Sequence, residues 1–143
     1  MANIVPDSFK TDLLGGVFDF DSSGGSTFKL ALYTDISGFS TSTTAYTTSN
    51  EVSSSGTSYT AGGNTLTNNG VAVASNIAYV DFADLTFSSV TLSAVGALIY
   101  KATSNEAVLV LDFGGTKTAT NGDFVIQFPT ANSSNAIIRL GDA

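Results

Sequence analysis

Phe28, Leu30 and Leu32 alternate with Lys29, Ala31 and Tyr33. A period of two sends successive side chains to opposite faces of a strand, and this pattern recurs almost to the last residue, which commits the chain to β structure. Leu66, flanked by threonines, leads into Asn69-Gly70, a hairpin-turn dipeptide, with Val71 to Ala74 as the return strand. Ile77, Tyr79 and Asp81 alternate with Ala78, Val80 and Phe82, and Leu85, Phe87 and Val90 follow. Ala94 to Tyr100 and Ala107 to Phe113 are continuous apolar runs around the polar turn Thr103-Ser104-Asn105-Glu106, so they predict a central hairpin buried on both faces. Asn121-Gly122 reads as another turn, and Gly24-Gly25 and Gly114-Gly115 as hairpin turns. Phe124, Ile126 and Phe128 then alternate up to Pro129, and Ile137, Ile138 and Leu140 form the last strand. About eight short antiparallel strands with polar turns predict an all-β fold, a single β-sandwich of jelly-roll or immunoglobulin-like type over residues 27–143.

Residues 1–26 read differently. Pro6-Asp7 is a helix start with Asp7 as the expected N-cap, Phe9 and Leu13 share a helical face, and Gly15-Gly16 ends the segment. Two turns of helix do not hold themselves together in water, so this arm docks on its own sandwich or on a neighbouring molecule. Val17 to Asp21 follows as a short extended stretch. Residues 35–63 are rich in Ser, Thr and Gly, a long surface loop or an exposed binding loop. Within it, Ser58 to Gly63 is a candidate edge segment, and Tyr46 and Tyr59 are the tyrosines expected at the surface; Tyr79 and Tyr100 are expected in the core.

Composition then removes most chemistry. The chain of 143 residues contains no His and no Cys, so no imidazole or thiolate is available to act as base, nucleophile or metal ligand. A Ser–Lys dyad would have to come from one of four lysines, and Lys29 and Lys101 stand in or beside strands. Asp19 with Asp21, and Asp81 with Asp84, are the carboxylate pairs to weigh for glycoside hydrolysis, but there is no Trp to line a sugar cleft. Asp19 to Gly25 offers oxygens at alternate positions to a Ca²⁺ ion yet lacks the closing Glu of an EF-hand loop. The glycine pairs lack phosphate-loop spacing. The expectation is a non-enzymatic domain with no cofactor and no metal. A net charge of −7 with five scattered cations argues against nucleic acid and against an anionic membrane. No apolar stretch suits a membrane span, and the first residues lack the basic and apolar regions of a signal peptide.

Three segments taken together resemble a family of small structural proteins of tailed bacteriophages: Ser8-Phe9-Lys10 through Leu13-Leu14; Thr27-Phe28-Lys29-Leu30-Ala31-Leu32-Tyr33-Thr34; and Ala45 to Val52 followed by Tyr59-Thr60-Ala61-Gly62-Gly63. Gly96 to Tyr100 and Asn135 to Arg139 fit the same pattern. The resemblance covers most of the chain, and its motifs are structural rather than catalytic. It implies a virion component, foremost a capsid decoration (cement) protein on the capsid exterior, made in the host cytoplasm. Its partners would be the major capsid protein and itself, as a homotrimer. On that reading the contact residues are Ile4, Val5, Phe9, Leu13 and Leu14 in the arm, and deleting residues 2–16 should leave a folded sandwich that no longer assembles. The rival is a receptor- or glycan-binding module of a tail, fibre or head projection, with Tyr46, Asn50, Glu51 and Tyr59 as its site. A hydrolase built on Asp81 and Asp84 is the third class.

Overall fold

The computed structural model describes residues 2–142. The protein is an all-β sandwich of two antiparallel sheets, preceded by one short helix, α1 (Asp7–Leu14). The strands are β1 (Phe28–Tyr33), β2 (Asn64–Thr65), β3 (Asn68–Ala74), β4 (Ile77–Phe82), β5 (Leu85–Lys101), β6 (Ala107–Ile126) and β7 (Ile138–Leu140). One sheet has the order β2-β1-β5-β6 and the other β3-β4-β7.

Among the described residues seven strands stand where about eight short ones are expected, because pieces read as separate have fused. Leu85 to Val90 and Ala94 to Tyr100 are one strand, β5, and β6 runs unbroken through Gly114-Gly115 and Asn121-Gly122. These dipeptides are bulges rather than turns: between Gly96↔Asp112 and Ala94↔Lys117 the pairing of β6 against β5 slips. A glycine with positive φ serves a bulge as well as a turn, and bulges let so long a hairpin bend around a core. Asn69-Gly70 is likewise a bulge inside β3, and the β3–β4 turn is Ser75-Asn76, both with positive φ (51° and 62°). That is the backbone a tight two-residue hairpin needs. Ser58 to Gly63 is not a strand; the edge strand begins at Asn64.

The core between the sheets is rich in phenylalanine. Phe20 stacks on Phe28 with ring centres 4.6 Å apart, and Phe28 meets Phe82 of the opposite sheet edge-on at 5.8 Å. Phe9 and Phe18 join the same cluster, 5.1 Å apart. The arm is therefore packed into its own sandwich. Pro6, not Asp7, occupies the N-cap position, and no side chain caps the helix; Asp7 instead holds Lys10 at 2.8 Å. The orphan Asp7 N–H donates to the Thr41 carbonyl at 2.8 Å.

The outer face of the four-stranded sheet is also covered. Ala31, Tyr33, Leu98, Tyr100 and Val110 form a second apolar cluster with Ile36 and Phe39 from the long loop. The central hairpin is thus buried on both faces, as its continuous apolar runs require.

Candidate functional site

Residues 34–63 act as a strap over that outer face. The Val52 N–H donates to the Leu32 carbonyl at 2.9 Å, and Thr34 N–H to Asn50 at 2.8 Å, so the strap continues the edge pairing that two-residue β2 only begins. Further along, Tyr46 N–H donates to Asn105 at 2.9 Å and Ala107 N–H to Thr44 at 3.0 Å. At the strap's far end Gly63 lies against β1: a Cβ there would sit 1.8 Å from the Leu30 carbonyl oxygen, and φ is +73°. Only glycine can make that approach.

Three of the four residues expected to form a binding loop meet at one carboxylate. Tyr46 Oη donates to Glu51 Oε2 at 2.6 Å, while Tyr59 Oη and the Gly62 N–H donate to Oε1 at 2.7 and 2.6 Å. Tyr59 Oη in turn accepts the Leu32 N–H at 3.0 Å. Tyr100 stacks on Tyr46 at 4.5 Å and donates to the Gly62 carbonyl, and Tyr33 donates to Thr47 at 2.6 Å. Asn50 stays outside the knot, exposed in a left-handed turn (φ 61°) with its carbonyl spent on Thr34. Tyr59 is 3% exposed, which corrects its expected surface position. Tyr100 is buried as expected and Tyr79 only partly. Burial pushes the hydroxyls of Tyr33, Tyr46, Tyr59 and Tyr100 above their ordinary range, and the nearby Glu51 carboxylate adds to the rise in each. These phenols remain protonated donors, and the Glu51 oxygens are filled by Tyr46, Tyr59 and the Gly62 N–H. The knot fastens the strap.

The acidic pairs serve local hydrogen bonds at turns, a bulge and a strand end. Asp19 Oδ1 accepts the Asp21 N–H at 2.9 Å, Asp81 accepts from Asn69 at 3.1 Å, and Asp84 accepts the Phe128 N–H at 2.8 Å. Among the described residues no group of three acidic, His or Cys side chains is arranged to hold a metal ion. No helix among the described residues is long and apolar enough to cross a membrane.

The arm residues gather elsewhere. Val5, Phe9, Leu13 and Leu14 line one wall of an apolar groove of about 700 Å³; Ile77, Ile137, Ile138 and Leu140 line the other. Leu14 is 81% exposed and Leu140 58%, so the rim is apolar where solvent reaches it. Phe9, by contrast, is 3% exposed and belongs to the core. Ile4 is apart from the groove: its N–H and carbonyl pair with Val110 at 2.9 Å each, adding one residue to the edge of β6. Ile4 thus bridges to a sheet edge within its own molecule. Sequence reasoning missed the groove's second wall, because Ile77 and the β7 residues come from far along the chain. A second cleft of about 520 Å³ beside β6 holds Asp112, Lys117 and Asp123 among apolar neighbours. Asp123 accepts the Ser89 N–H at 3.1 Å.

Comparison with protein-family models, with curated proteins and with solved structures finds no match.

Proposed function

We propose that this chain is a non-enzymatic structural component of a tailed-bacteriophage virion, a decoration protein that binds the outer capsid surface and its own copies. The observation that carries the reading is the groove between α1 and β7, with Leu14 and Leu140 exposed at its rim. A soluble domain that leaves large apolar side chains out along a groove has a surface to bury in an assembly. The family resemblance supplies the kind of assembly. The glycan-binding rival has less support, since Tyr59 is buried and Tyr46 donates to Glu51.

The test is the copy number of this protein in purified virions, by quantitative mass spectrometry against the major capsid protein. A number comparable with the capsid protein is expected. A few dozen copies or fewer, or none, would overturn the decoration reading. Deleting residues 2–16 is no longer the clean variant, because it removes the Phe9 ring from the core. Leu14→Asp is, since its side chain is the most exposed of the arm's candidates.

A further inference from the structure

The three-stranded sheet has two open edges, and they differ. On one side is β3, whose residues Val71 to Ala74 are exposed on both faces, with Val71 58% and Val73 72% exposed. Among the described residues, the backbone of this stretch bonds only to β4. Natural edge strands are ordinarily guarded by charge, proline, a bulge or a covering element, and the bulge of β3 lies before this stretch, at Asn69-Gly70. Val71 to Ala74 have none of the other guards: no charged residue and no proline stands from Val52 to Val80. On the other side is β7, three residues long, with the apolar groove beside it. Its one charged residue, Arg139, does not guard the edge, since its guanidinium turns back onto the carbonyls of Ser133 and Ser134 at 3.3 and 2.7 Å.

We infer that the groove is occupied by β3 of a second copy of this chain, added to the edge of β7 so that the three-stranded sheets run head to tail from copy to copy. This rests on the reading of the groove as an assembly surface, and it assigns that surface to self-contact rather than to the capsid protein. An open strand edge is satisfied by another extended backbone, which makes the occupant a strand. Val71 and Val73 fall on one face of β3 by alternation and supply the apolar side chains that the groove lacks. Charge does not oppose a copy of the same chain at this place. Molecules of net charge −7 repel, but the donor strand carries no charge, and in the groove Lys10, paired with Asp7, and Arg139 bring no excess of negative charge against it. The contact joins two different surfaces, so it generates a closed ring or an open chain rather than a two-fold dimer.

Complementary variants of the full-length protein test this. Val73→Asp damages the donor strand and leaves the groove intact; Leu140→Asp damages the groove rim and leaves the donor intact. Both side chains are exposed, so each variant should keep the wild-type circular dichroism and melting temperature. By sedimentation velocity, the wild type is expected to form oligomers and each variant to be monomeric, while an equimolar mixture forms a one-to-one dimer through its single intact contact. Three results would overturn the inference: a monomeric wild type, loss of assembly in Val73→Asp alone (β3 pairing with itself), or a mixture that stays monomeric. If the purified protein is monomeric but Leu14→Asp and Leu140→Asp vanish from virions, the groove belongs to the shell protein, and the function stands without the self-contact.

Discussion

The two faces of the four-stranded sheet are buried by different means. The inner face packs mainly against phenylalanines from the arm and the second sheet, with Tyr59 the one hydrogen-bonded ring among them. The outer face is covered by a strap of irregular backbone fastened by the hydrogen bonds of four tyrosines, Tyr33 and Tyr100 from the sheet and Tyr46 and Tyr59 from the strap, the last two on Glu51. An apolar core tolerates small shifts of its members, whereas a knot of short polar contacts fixes one position of the strap. The inner face therefore holds most of the stability, and the outer face sets the geometry of a segment with little regular structure of its own.

Substitutions can separate the two. Phe28→Ala removes a ring that is 1% exposed at the centre of the inner cluster. It should cost about 3–5 kcal/mol, seen as a uniform loss of hydrogen-exchange protection and a large fall in Tm. Gly63→Ala forces a methyl group into the Leu30 carbonyl at positive φ and should cost about 3 kcal/mol, lifting the strap from β1. Glu51→Ala strips the acceptor from Tyr46, Tyr59 and Gly62. About 2 kcal/mol is expected, with exchange rising first in residues 34–63 while the β5–β6 hairpin stays protected. Equal loss of protection in both regions would show that the faces are not separable. Tyr46→Phe, which gives up one hydrogen bond but keeps the stack on Tyr100, should cost about 1 kcal/mol.

The pH dependence follows from the same tyrosines. Their folded-state hydroxyls titrate above the model-compound value of 10.0, so above pH 10 the unfolded chain releases protons that the folded chain still holds. Stability is then fully present below pH 10 and falls as the pH rises beyond it. Denaturant midpoints measured from pH 8 to 11 should be flat and then decline, and less steeply in Glu51→Ala, where the carboxylate no longer raises the phenols.

Much of the sheet scaffold is legible in local pattern. Alternation from Phe28 to Tyr33 gives β1, and the two apolar runs flanking Thr103 to Glu106 give the hairpin buried on both faces. Bulges were not legible as such, since Asn69-Gly70 and Gly114-Gly115 present the residues of a turn, and only pairing with the neighbouring strand distinguishes the two. The strap was half legible. A hairpin apolar on both faces needs a cover, and Ile36, Phe39 and Tyr46 supply it while Val52 and Tyr59 join the inner core, but a Ser/Thr-rich setting made Tyr46 and Tyr59 look like surface. The groove had no local signature because its walls lie at opposite ends of the chain.

The strap has one further consequence. Between Lys29 and Lys101 there is no Lys or Arg, so a trypsin-like protease finds no bond to cut anywhere along it. Of the aromatic residues that a chymotrypsin-like protease would seize, Phe39 and Tyr59 are turned inward, 8% and 3% exposed, and the half-buried Tyr46 is held by Glu51. A long outer segment without regular secondary structure is thereby shielded from both kinds of digestion, and an enzyme must wait for Glu51 to release its tyrosines before it can bite.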